Sequence, residues 1–309
     1  MADETQMVKL KIDHKFAAYA FMIVIFCSIF SLLVIGALVK SSGADLKDFW
    51  ESSVASIIRY AMFFAVFFIV CRQLRLKGRE IPRAVDLNTK ISWWNLGLVI
   101  FAAWLVLVSF MLLGQGVVDI MVYLGYKPQS GTAPDNIPQY IMAIFTLCLL
   151  PAVIEELLFR GFILKGFLPA GKTAAVIASA LLFTLFHLNP EQTVYQFLLG
   201  VILALVALKT GNILYCMILH FLNNFIVVTT YTFFGDPMIN LTWNPLSVCV
   251  CIGLALLGAA MILGVCRILK QHGDRAEVPK TVKFFTFDNI GFFVSVALGT
   301  CIWMLALLG

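Results

Sequence analysis

The chain has 309 residues, 61% of them hydrophobic and only 13% charged, with a formal net charge of +5. A mean hydropathy of +0.95 is more apolar than a water-soluble core of this length can hide, which excludes an ordinary soluble enzyme and places the chain among integral, multi-pass membrane proteins. The positive balance then reads as a topology signal and an attraction to the lipid bilayer, and no nucleic-acid partner is expected.

A spanning helix needs about 20 mostly apolar residues. Applied along the chain, that ruler predicts an all-α transmembrane bundle of nine spans, near 16–39, 54–71, 93–114, 138–164, 173–190, 193–208, 211–233, 245–266 and 288–308. The sixth is short, and without it the count is eight. The basic run at Lys9, Lys11 and Lys15 precedes about 24 apolar residues, longer than a cleaved signal's core, so a retained first helix is expected. Placing the N-terminus inside puts all Lys and Arg residues except Lys40, Lys47, Arg59 and Lys127 on the cytoplasmic side, Lys165 and Lys172 among them. The segments 72–90 and 270–289 become basic cytoplasmic loops, and 127–135 an outer turn. The third span runs on through Gly114, Gln115 and Gly116 to Asp119, which suggests a broken or re-entrant end or an interfacial helix. The eight cysteines show no metal-ligand spacing and read as small core residues. Asn240-Leu241-Thr242 is a glycosylation sequon, relevant only in a secretory-pathway host. The chain divides into an N-terminal region 1–137, a central bundle 138–233 and a C-terminal two-span region 234–309. The bacterial cytoplasmic membrane is the expected location, or the endoplasmic reticulum in a eukaryote.

Ionisable side chains at membrane depth are expensive and by default functional. Here they concentrate in spans four to seven: Glu155, Glu156, Arg160, His187 and His220, with Gln196, Asn223 and Asn224 beside them. Glu156 and Arg160 stand in the i,i+4 relation and can neutralise each other. Glu155, about 100° round the helix, lacks that partner. His220 and Asn224 repeat the i,i+4 spacing on span seven and project from one face. Measured at 1.5 Å per residue, Glu155 lies about 15 Å from Lys165 and His220 about 15 Å from Thr210, whereas His187 lies about 22 Å from Lys172. His187 is therefore one turn too deep unless the fifth helix starts later, tilts or breaks.

A carboxylate withdrawn from bulk water becomes a stronger base for water. Glu155 is thus a candidate general base, His187 can share and orient the water, and His220 with Asn224 can supply N–H donors to an oxyanion. The set reads as amide hydrolysis with no cofactor. Two histidines and a glutamate are also the ligand set of a catalytic zinc site, so Glu155, His187 and His220 would be the ligands of a metalloprotease variant. A lone intramembrane histidine is often a packing residue, and the Glu156–Arg160 pair alone would be structural glue. Asn223 and Gln196 are assigned to helix packing. A proton-coupled carrier is disfavoured, because the charges cluster in one half of the chain with no inverted repeat.

Glu155-Glu156-x-x-x-Arg160, Phe183-x-x-x-His187 and His220-x-x-x-Asn224 follow one another on consecutive apolar helices. In this the chain resembles the CPBP family (CAAX proteases and bacteriocin-processing proteins, also called Abi) over residues 138–232. The resemblance implies an intramembrane endopeptidase acting on membrane proteins or on lipidated or leader peptides. In it Glu155 is the general base aided by His187, His220 and Asn224 form the oxyanion site, and Glu156 with Arg160 braces the helix. It leaves both the glutamate and the metal mechanism open, with the glutamate form favoured. The alternative is a non-catalytic immunity or scaffold protein on the same fold. Oligomeric state is not legible in the sequence.

Overall fold

The computed structural model describes residue 12 and residues 14–42, 49–128, 133–235, 245–273 and 290–308. Among them the regular structure is entirely helical. Nine long helices stand in chain order: α1 (His14–Ser42), α2 (Phe49–Gln73), α3 (Trp93–Tyr123), α4 (Ile137–Ala170), α5 (Lys172–Phe186), α6 (Thr193–Thr210), α7 (Ile213–Phe234), α8 (Pro245–Gly273) and α9 (Ile290–Leu308). By length and composition α1, α2, α4, α6 with its preceding turn, and α7 are each able to cross a membrane, while the other four hold shorter apolar stretches. The protein is a polytopic helical bundle, as its composition requires.

Local chemistry fixes the helix ends. The side chains of Ser92, Asn136 and Asn212 accept from the backbone N–H groups of Asn95, Gln139 and Leu214, capping α3, α4 and α7. Gly211, at φ +61°, closes α6 in the left-handed conformation that glycine adopts at little cost. The predicted sixth span begins three residues early, because the turn Pro190–Gln192 feeds directly into α6.

The helices approach closely where side chains are small, the usual means of packing in lipid. A Cβ on Gly200 of α6 would stand 3.0 Å from the Cα of Ala180 on α5. Gly258 of α8 meets Val106 of α3 in the same way, and Gly291 of α9 meets Tyr19 of α1.

Three sequence expectations are corrected. First, α3 continues unbroken to Tyr123, and Gln115 donates to Asp119 at 2.8 Å one turn on, so the polar tail is a helical extension and not a re-entrant break. Second, Lys165 is no loop anchor: it lies inside α4, paired with Asp86 at 2.8 Å and donating to the carbonyl of Ala84. The segment after α2 is thus a built element. The backbone of Asp86 also accepts from the Ile213 N–H at 3.0 Å, and Asn212 exchanges hydrogen bonds with Asn88. Because α4 runs on to Ala170, Glu155 and His187 each lie 15 residues, about 22 Å, from the connection between α4 and α5. Their depths agree, and the one-turn excess disappears. Third, Cys249 and Cys301 are exposed, whereas Cys71, Cys148 and Cys216 are buried as expected. The sequon at Asn240 and the segment 274–289 lie outside the described residues.

Gly200→Val places two methyl groups against the backbone of α5. We expect it to destabilise the bundle by about 1–3 kcal/mol, measured as a lowered unfolding midpoint in detergent, with Gly253→Val, where nothing lies within 4 Å of the added Cβ, near neutral.

Candidate active site

The centre of the site is the stretch Leu150–Leu158 of α4, framed by π-helical segments at Ile144–Leu149 and Phe159–Ile163. Proline explains the first. Pro151 has no N–H to give the carbonyl four residues earlier and its ring crowds that position, so the Leu147 carbonyl is freed and the ladder widens. Asn224 of α7 donates its Nδ2 to that carbonyl at 2.9 Å. A sequence feature that breaks one backbone bond thereby creates the docking point for a site residue. Asn223 Nδ2 donates to Asn224 Oδ1 at 3.1 Å and is itself fixed by the Tyr195 hydroxyl, so this packing residue also orients its neighbour.

Glu155 and Glu156 are 1% and 0% exposed, and Arg160 is 1% exposed. As the i,i+4 spacing predicts, Arg160 Nη1 meets Glu156 Oε1 at 2.8 Å. Arg160 also donates to the Gly200 carbonyl at 3.2 Å and lies over the Phe183 ring, 4.5 Å from its centroid. Glu156 does more than brace its own helix: its Oε1 accepts from His220 Nδ1 at 2.9 Å. His187, the residue that caps α5, gives its Nδ1 hydrogen to the Phe183 carbonyl at 2.8 Å, since a carbonyl only accepts. Both imidazoles are thus fixed through Nδ1, and both turn Nε2 towards one atom. Glu155 Oε2 stands 4.0 Å from His187 Nε2 and 3.9 Å from His220 Nε2. These separations are too long for direct hydrogen bonds. A water 2.8 Å from the carboxylate oxygen and from either nitrogen would subtend an angle of about 90° between them, a normal bridging geometry.

The three sequence patterns meet at Glu155, His187 and His220, which come from α4, the end of α5 and α7. Asn224, one turn after His220 on α7, is committed to α4 through one N–H to the Leu147 carbonyl, leaving a second to give. Gln196 donates to Gln192 at 3.2 Å, in the turn that precedes α6. Sequence reasoning missed Tyr60 of α2, whose hydroxyl donates to Glu155 Oε1 at 2.7 Å. A tyrosine in an apolar span gives no signal that separates it from an interfacial anchor.

Residues 137–226 match the family model described as Rce1-like, type II CAAX prenyl endopeptidase. This segment is similar to Rce1-like domains. It runs from the start of α4 into α7 and contains Glu155, Glu156, Arg160, His187, His220 and Asn224, in agreement with the resemblance read from the motifs. No curated protein and no solved structure matches the chain.

Outside the matched segment, Tyr126, just beyond α3, contributes a support. Leu188, just after His187, sits at φ +51°, an uncommon conformation for a bulky residue that its surroundings must hold. The following turn is tied by Asn189 accepting from the Glu191 N–H at 2.9 Å and by the Tyr126 hydroxyl donating to Glu191 at 2.8 Å. Burial, and then the Glu191 carboxylate beside it, push the Tyr126 phenol up to about 12, so it keeps its proton at neutral pH.

The donor types around Glu155 suit zinc, but their placement does not. Donors on a tetrahedral zinc with bonds of about 2.0–2.1 Å stand about 3.3 Å apart, against 3.9 and 4.0 Å here. Among the described residues no group of three His, Cys, Asp or Glu side chains is spaced to hold a metal ion.

Removing one partner of a fully buried ion pair strands the other charge. Arg160→Met is therefore expected to lower stability by about 3–5 kcal/mol, read by denaturant unfolding in micelles. Adding Glu156→Gln should recover part of that loss.

Proposed function

We propose that the protein is an intramembrane endopeptidase that hydrolyses peptide bonds of membrane proteins or of lipidated or leader peptides, with Glu155 as the general base. The observation that carries this reading is the convergence of two Nδ1-anchored imidazoles on a single oxygen of a buried carboxylate.

A water between these groups gives one proton to Glu155 Oε2 as its oxygen attacks the substrate carbonyl carbon. His187 Nε2, unprotonated in the neutral ring because Nδ1 carries the hydrogen, accepts the water's other hydrogen and aims its lone pair. The negative charge that develops on the carbonyl oxygen is met by the second Nδ2 hydrogen of Asn224 and, when His220 is protonated, by its Nε2–H. Collapse of the tetrahedral intermediate breaks the C–N bond, and the proton held by Glu155 passes to the leaving amine. Glu156 and Arg160 keep His220 in register throughout. The surrounding Phe159, Phe183 and Phe186, packed edge to face or tilted with centroids 5.1 and 5.5 Å apart, limit the water that reaches the site to what α4, α5 and α7 can hold.

The family match supports the CAAX-type endopeptidase class. The lipidated substrate and the glutamate mechanism are our reading of the site chemistry.

In vesicles, Glu155→Gln and His187→Ala should each lower cleavage of a membrane-inserted reporter peptide by about 10²–10⁴-fold, the range of general base contributions, while the protein still inserts. Full cleavage by both variants would reject the reading, and retained partner protection without any cleavage would favour the immunity or scaffold alternative. Asn224→Ala should cost about 10²–10³-fold in kcat. Cleavage should also survive prolonged treatment with a strong chelator; one tightly held ion per chain whose removal abolishes activity would overturn the glutamate mechanism.

A further inference from the structure

Tyr60 belongs to α2, outside the matched segment, and reaches across 95 residues of sequence to donate its hydroxyl to Glu155 Oε1 at 2.7 Å. We propose that Tyr60 is a positioning residue of the reaction, which holds one oxygen of the Glu155 carboxylate so that the other alone is presented to the water. The proposal rests on the reading of Glu155 as the base.

The two oxygens of a carboxylate are chemically equivalent, so a lone buried carboxylate can present either by turning about its terminal bond, a soft torsion. A donor on one oxygen removes that equivalence. Here Oε1 is taken by Tyr60, and Oε2 points between the Nε2 atoms of His187 and His220. Among the described residues Oε2 has no hydrogen-bond partner, which makes it the acceptor left for water.

The ring of Tyr60 is itself held. Phe63, one turn further along α2 and 0% exposed, packs edge-on against Tyr60 with centroids 5.9 Å apart. Phe63 also packs against Phe186 at 5.1 Å, and Phe186 against His187 at 5.3 Å. One short aromatic chain therefore registers α2 against both the carboxylate and the imidazole. A side chain placed only to fill space would have no need of a hydroxyl aimed at the base, and a misplacement of the base of about 1 Å can cost about 10²-fold in rate.

The test uses the full chain in phosphatidylethanolamine and phosphatidylglycerol vesicles. Two probes serve: a fluorogenic peptide ending in a farnesylated cysteine followed by three residues, and an unlipidated apolar peptide. Tyr60→Phe removes only the hydroxyl. Tyr140→Phe is the control: its hydroxyl bonds Thr229 at 2.7 Å, away from Glu155, and it reports what losing a tyrosine hydroxyl does to the bundle in general. We expect Tyr60→Phe to lower kcat about tenfold or more with KM within about twofold, and Tyr140→Phe to do neither. Independently of any substrate, the carboxyl band of Glu155, identified by difference infrared spectra against Glu155→Gln, should shift in Tyr60→Phe and stay in place in Tyr140→Phe. An unmoved band, or an unchanged kcat beside an inactive Glu155→Gln, overturns the role of Tyr60 and leaves the base in place. Cleavage by Glu155→Gln overturns the base itself, and with it the role proposed for Tyr60.

Discussion

Four helices of this bundle are tied together through one carboxylate and one guanidinium. Glu156 of α4 holds Arg160 one turn on and His220 of α7, while Arg160 reaches the Gly200 carbonyl of α6 and covers Phe183 of α5. Isolated charges in so apolar an interior would be prohibitively costly. Their mutual neutralisation makes the burial tolerable, and the need to complete it forces the four helices into one relative placement. The arrangement of Glu155, His187 and His220 follows from that placement, because Glu155 is adjacent in sequence to the hub and His220 is one of its partners.

Two π segments of α4 sit on either side of Glu155 and Glu156. A π segment changes the pitch of a helix over one turn and is frequent at functional sites. Pro151 imposes the first by withholding a backbone donor, and the carbonyl so released is satisfied by Asn224, which brings an amide to the site at no loss of hydrogen bonding. The second carries Arg160 and Gly161, with the glycine packed against Val85, where an added Cβ would stand 3.1 Å away. The segment that contains Val85 is anchored in turn by Asp86 to Lys165 and by Asn88 to Asn212. One end of α4 and the start of α7 are therefore braced by chain that an apolar-span reading treats as loop.

The matched segment accounts for the carboxylates, the imidazoles and the amide, but not for everything that touches them. Tyr60 comes from α2, and the turn after His187 is steadied by Tyr126, just beyond α3, and by Trp303 of α9, whose indole N–H donates to Thr193 at 2.8 Å. The chain flanking the matched segment does more than hold it in the membrane: it adds hydrogen bonds to Glu155, Glu191 and Thr193.

The amino-acid sequence by itself determined the features that depend on composition or on the helical period. It determined the membrane bundle, the nine long helices of the described residues, the Glu156–Arg160 pair and the shared face of His220 and Asn224, because hydropathy and 3.6-residue spacing act within a single element. It marked Glu155 as the carboxylate without a partner on its own helix, and that is where Tyr60 is found. Only the tertiary structure decided that Tyr60 is that partner, that Glu156 orients His220, and that His187 reaches the site from the end of a short helix. These contacts depend on how α2, α5 and α7 pack against α4. In an apolar bundle the residues that set that packing, such as Gly200, Phe63 and Pro151, look in sequence like any other lipid-compatible residue. The same holds for Lys165: its basic side chain reads as a membrane boundary until the Asp86 that neutralises it, distant in sequence, is seen beside it.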